Sequence, residues 1–167
     1  ATEEPINVAL LIDTSQSTRD VLGDIRTAAK KMVKMLNADD RAMIVSFDHD
    51  THVLSSLTSD KKELEKAIEK AKPPKEFGTT LRDAVDETVR EHFSKVKGRK
   101  AVILLTDGKD HDSYTTSSQL VHSVEESDVI VYTVYFNTGM RPRPDFGRGD
   151  VFRWPRGGVY GGNGRHG

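Results

Sequence analysis

In the stretch LLIDTSQST, Leu10 to Thr18, an acid and two serines stand at alternate positions where an apolar run stops: Asp13, Ser15 and Ser17. A second run, KAVILLTD, repeats the design and ends on the hydroxyl of Thr106 and the carboxylate of Asp107. Acids and hydroxyls gathered in this way serve one of two chemistries. They hold a hard, oxygen-seeking cation, or they set a carboxylate nucleophile beside one, as in phosphoryl transfer. Phosphatases of the second kind usually place another Asp two residues after the nucleophile. This chain has Ser15 there, no evident general base and no GxxxxGK[ST] loop to cradle phosphate.

Such oxygens need elements that deliver them to one place. INVALLID, Ile6 to Asp13, is β-rich with almost no polar alternation, the pattern of a strand covered on both faces. Ser17 or Thr18 is placed to cap a helix whose apolar stripe runs through Val21, Ile25, Ala28, Met32 and Met35 or Leu36. RAMIVSF and THVLSSL flank the polar DHD and predict an antiparallel hairpin. A helix over SDKKELEKAIEKAK buries Leu64, Ala67, Ile68 and Ala71 and is ended by Pro73-Pro74. Another over TLRDAVDETVREHF buries Leu81, Ala84, Val85, Val89 and Phe93. Lys100 to Asp107 forms a second doubly covered strand, Asp112 or Ser113 opens a helix containing Leu120, Val121 and Val124, and DVIVYTVYF supplies the last clear strand.

This alternation predicts the α/β class: a three-layer α/β/α open sheet, mostly parallel, with one antiparallel strand at the hairpin edge. Ligands of such sheets collect beyond the carboxyl ends of the strands. Asp13, Ser15 and Ser17 then share a rim with Thr106 and Asp107.

Composition narrows the partners. A chain of 167 residues holds one α/β core, and 25 Lys plus Arg against 26 Asp plus Glu leave no overall field to recruit nucleic acid or an acidic membrane. The absence of cysteine excludes a disulfide framework, a thiolate zinc site and a thiol nucleophile. No apolar run approaches the ~20 residues of a membrane helix. ATEEP lacks the basic and apolar regions of a signal peptide, and Ala1 with its polar lead fits a processed exported protein as well as a cut within a longer chain. The reading leans to an extracellular, periplasmic or cell-surface address.

DTSQS fits the DxSxS motif of the von Willebrand factor type A family, FGTTLRDAV is similar to that family's Gly-Thr segment, and LLTDGKD resembles its later Asp-Gly loop. The resemblance runs from about Ile6 to Phe136 and is nearest to bacterial domains of the acidobacterial type. It implies a Rossmann-like fold and a metal-ion-dependent adhesion site of Asp13, Ser15, Ser17, Thr79 and Asp107. All five are hard oxygen donors, suited to Mg²⁺, or to Mn²⁺ or Ca²⁺, and poorly to zinc. Only two carry charge, so the ion keeps affinity for an outside carboxylate, which in this family an Asp or Glu of a protein partner commonly supplies. The function implied is non-catalytic, cation-dependent protein binding. Gln16, Thr18, His49, Thr80 and Lys109 are the candidate partner contacts.

Each residue also has a plainer role: Ser17 as a helix cap, Thr79 as the start of the next helix, Asp107-Gly108 as a turn. Gln16 stands where the family usually has a small residue, Thr18 where it often has Met, and Phe77 where Gly-Gly-Thr has its first Gly. His49 and His52 are read as polar turn residues rather than zinc ligands, and Asp110 and Asp112 as caps of the following helix. The domain is assigned to residues 1–136, and 137–167 to a Gly/Arg/Pro-rich loop or tail, so the family's final helix and sixth strand are not expected. The tail's arginines with Phe146, Phe152, Trp154 and Tyr160 allow single-stranded nucleic-acid binding as an alternative, but nucleic acid is not the partner expected, and the RGD at Arg148 to Asp150 is too short to carry weight.

Overall fold

The computed structural model describes residues 4–74 and 77–138. Among them five strands form one sheet in the order β3-β2-β1-β4-β5: β1 Ile6–Asp13, β2 Arg41–Phe47, β3 Thr51–Thr58, β4 Arg99–Thr106 and β5 Ile130–Tyr135. β1 pairs in parallel with β2 and β4, and β4 with β5; β2 and β3 form the antiparallel edge hairpin.

Successive residues of β1 face opposite layers. Val8, Leu10 and Ile12 pack in a core with α1 (Leu22–Met35) and α2 (Lys61–Glu69), whereas Ala9 and Leu11 pack in one with α3 (Leu81–Glu87) and α4 (Ser117–Glu126). A strand apolar on both faces has no polar alternation to show, which is why INVALLID reads as a continuous run. The three layers and mixed sheet agree with the expected Rossmann-like class.

Two helices depart from expectation. The first is preceded by a 3₁₀ turn, Gln16–Val21, and α1 buries Leu22, Ile25, Ala29 and Val33. Of the expected stripe Ile25 is fully covered, Val21, Met32 and Leu36 are flanking and partly buried, and Met35 is 82% exposed. The tighter winding of the 3₁₀ turn rotates the helix relative to one begun at Ser17 or Thr18. The last helix starts at Ser117, not near Asp112, because Thr116 and Gln119 form a reciprocal capping box there. The residues between β4 and α4 are thereby left as a loop.

The other helices follow their apolar patterns. α2 ends at Glu69, and Arg26 of α1 donates from Nε to the Ala71 carbonyl at 2.9 Å, fastening the two helices. α3 runs on into a wider turn, Thr88–His92, so that Leu81, Ala84, Val85, Val89 and Phe93 are all buried. The readings placed on residues 139–167, the arginines, aromatics and RGD among them, lie outside the described residues.

Candidate metal centre

From β1 the chain builds β2 and β3 on one side, then returns to place β4 and β5 on the other. The crevice at the carboxyl ends of β1 and β4 is therefore the sheet's switch point. Asp13 ends β1 and is fully buried. Its Oδ1 accepts from the Ser15 amide at 2.9 Å, and its Oδ2 from the Thr106 hydroxyl at 2.6 Å. Thr106 Oγ1 also accepts from the Gly108 amide at 3.0 Å, so one hydroxyl links the ends of both strands.

The Asp13 loop is folded tightly. Ser15 Oγ and Ser17 Oγ stand 3.1 Å apart, and the Thr18 hydroxyl lies 2.9 Å from the carbonyl oxygens of both Asp13 and Ser15. Ser17 makes no cap: it sits inside the 3₁₀ turn, whose preceding residue Ser15 forms no side-chain cap bond. Thr18 is wholly buried in holding this turn, which removes it from the expected contact face.

Asp107 follows β4. Its Oδ1 accepts from the Lys109 amide at 3.1 Å, while its buried Oδ2 finds no hydrogen-bond donor among the described residues; the Lys109 ammonium stands 3.8 Å off, an ion pair without a hydrogen bond. Burial, with a smaller push from the Asp107 charge, raises the Asp13 carboxyl to about 6 against the bonds from Ser15 and Thr106. The rim thus holds two acids, of which Asp107 has the Lys109 ammonium within ion-pair range and Asp13 is held by hydrogen bonds from Ser15 and Thr106.

Thr79 precedes α3 and is also buried. Its amide donates to Asp112 Oδ2 at 2.9 Å, and its carbonyl accepts from the amides of His111 and Asp112. These bonds bring the Gly-Thr segment to the loop that carries Asp107. Asp110 and Asp112 therefore do not cap the following helix. Asp110 accepts instead from the Arg82 amide near the start of α3, at 3.1 Å.

The other candidate contacts separate. Thr80 is only 6% exposed, and its hydroxyl bonds the carbonyls of Asp48 and His49, so it leaves the contact face as Thr18 does. Gln16 is half-buried, Lys109 pairs with Asp107, and the His49 side chain is 52% exposed at the hairpin turn. His49 and His52 each lie beside a turn acid, Asp50 and Asp48, at 3.4 and 3.5 Å. Among the described residues no group of three or more His, Cys, Asp or Glu is placed to hold an ion. The rim set is of another kind, two carboxylates with hydroxyls. Beside it, Thr14, Asp48, His49, His52, Lys70 and Pro73 line a cleft of about 380 Å³.

Sequence reasoning named Thr106 as the hydroxyl ending its strand but gave it no role, and it misassigned Asp112. The signal available was DGKDHD, three acids crowded behind a strand end.

The strand order and the oxygen cluster at its switch point define a class. The family model of the von Willebrand factor type A domain matches residues 7–143, and the chain belongs to that family. The vWF domain of the type V pili tip protein Mfa5 from Porphyromonas gingivalis is 26% identical, with a TM-score of 0.59 over 66% of this chain and 40% of that one. An aerotolerance-related membrane protein from Bacteroides fragilis shares the fold at a TM-score of 0.71 and 22% identity, covering 92% of this chain and 79% of that chain. Proximal thread matrix protein 1 from the mussel byssus, described with a zinc-occupied MIDAS motif, does so at 0.67 and 21%, over 77% and 35% of the two chains. The chain spans 20% and 40% of the two pilus-tip chains it matches. No curated protein sequence matches it.

Proposed function

We propose that this domain is a non-catalytic, divalent-cation-dependent protein-binding module. Asp13, Ser15, Ser17, Thr79 and Asp107 would hold the ion, and a carboxylate from a partner would complete its coordination. The observation that carries this reading is the pair Asp13 and Asp107: one carboxylate buried at the switch point, the other with a buried oxygen lacking a hydrogen-bond donor among the described residues. A cation bound between them would supply positive charge to both. Hydroxyl and carboxylate donors favour Mg²⁺, with Mn²⁺ or Ca²⁺ next. The zinc in the mussel protein makes Zn²⁺ the ion to run in competition.

Two charges against a divalent ion leave it electrophilic, and the ion supplies Lewis acidity toward an incoming Asp or Glu. The chain's own residues do the rest. Thr106 and the Ser15 amide orient Asp13, Thr18 fixes the serine turn, and Gln16, His49 and Lys109 border the approach. The adjoining cleft would seat residues next to the partner's acid.

Calorimetric titration with Mg²⁺ tests the reading. Wild type is expected to bind one ion saturably, and Asp13→Ala and Asp107→Ala to lose that binding while staying folded. Undiminished binding in both variants would place the ion elsewhere.

A further inference from the structure

The loop after Asp107 holds the Gly-Thr segment by its backbone. Thr79 donates its amide to Asp112 Oδ2 at 2.9 Å, and its carbonyl accepts from His111 at 3.2 Å and Asp112 at 3.1 Å. The two planar peptide groups flanking the Thr79 Cα are thus both pinned by residues 111–112. With both planes held, φ and ψ are held, and so is the Cα–Cβ direction from which the Thr79 hydroxyl projects. Gly78 makes room for this: a Cβ there, at φ +141°, would stand 2.9 Å from Asp112 Oδ2 and 3.0 Å from His49 Cδ2.

The same loop caps α3 from outside. Thr80, the residue before the helix, turns its hydroxyl to the Asp48 carbonyl at 3.0 Å instead of to a helix amide. The amides of Arg82 and Asp83 are received by Asp110 Oδ2 at 3.1 Å and Ser113 Oγ at 3.2 Å. Asp83 answers by accepting from the amides of Tyr114 and Thr115 at 2.9 and 2.7 Å.

We infer that Asp112 is the positioning residue of the centre, aiming Thr79 at the ion and joining the Gly-Thr segment to the Asp107 loop. The ion itself rests on the function proposed above. Asp112 is solvent-exposed, so trimming it leaves both cores untouched.

Two readouts test it: amide exchange at Thr79 in the metal-free protein, followed by NMR, and Mg²⁺ affinity by calorimetry. Asp112→Asn keeps an acceptor oxygen without the charge, and should retain a protected Thr79 amide and most of the affinity. Asp112→Ala should expose that amide and weaken Mg²⁺ by about tenfold, the usual effect of losing a group that orients a metal ligand. Equal affinity loss in both variants would reduce Asp112 to a charge and overturn the inference, as would a Thr79 amide still protected in the alanine variant. If wild type binds no Mg²⁺ while the amide behaves as stated, the ion assignment fails and the clamp stands.

Discussion

At the scale of single residues the site runs against stability. Asp13 carries a carboxyl whose folded value is about 6 against an ordinary 3.8. A raised folded value means that the proton favours the folded state. That stabilisation is fully present below about pH 3.8 and is lost as pH rises through about 6. At neutral pH the metal-free protein bears the cost of an ionised buried acid, about 3 kcal/mol at one pKa unit per 1.4 kcal/mol. Asp13→Asn is therefore expected to raise the melting temperature of the metal-free protein at pH 7.5 while abolishing its response to Mg²⁺; a lower melting temperature would show that the charge is already compensated. Ser17→Ala separates the two roles first open to that serine. Loss of a cap costs about 1 kcal/mol, and with no cap here the metal-free melting temperature should stay put while ion affinity falls. Asp13, Ser15 and Ser17 were legible because their spacing survives as spacing in the fold. Thr18 and Thr80 were not, since only the folded loops show both hydroxyls turned inward onto carbonyls.

At the scale of elements, the strands were legible and the ends of some helices were not. Continuous apolar runs fixed β1 and β4, and the DHD turn fixed the hairpin. The stripe of α1 was misread because a 3₁₀ turn has no hydrophobic signature that separates it from a first helical turn. The start of α4 was misread because acids in DGKDHD are good caps in general, and here Asp110 instead receives an amide of α3, earlier in the chain, while Asp112 receives that of Thr79. Removing the hydroxyl of Thr116 tests this division: Thr116→Ala should cost about 1 kcal/mol in denaturant unfolding and leave Mg²⁺ affinity unchanged. Gly108 is a stricter point. Its φ is +83°, and a Cβ would meet Tyr135 Cε1 at 2.7 Å, so β5 is packed directly against the backbone of the Asp107 loop. Gly108→Ala should destabilise the fold by about 1 kcal/mol or more through left-handed strain alone and weaken ion binding with it; a variant as stable as wild type would mean that the loop relaxes freely.

At the scale of the whole molecule, the proposed ligands sit on three separate stretches: the end of β1, the start of α3 and the loop after β4. An ion held by all three stabilises only the folded chain, because the unfolded chain does not bring them together. Mg²⁺ at a hundredfold its dissociation constant should then add about 2.7 kcal/mol. Chelation should remove that gain and Asp107→Ala should never show it; thermal unfolding followed by calorimetry reads both. The three-layer class, the hairpin edge and the shared rim were legible from alternating elements; the strand order β3-β2-β1-β4-β5, and with it the switch point between β1 and β4, came only from the fold. The identity of the partner was not, because a carboxylate recognised through an ion leaves its mark on the other molecule. The most direct measurement is a Mn²⁺ titration of wild type and Asp13→Ala, run in chloride and again in acetate. The result expected is saturable binding that tightens in acetate and vanishes in the variant. Binding indifferent to acetate would contradict carboxylate capture, and binding that survives in Asp13→Ala would contradict the site.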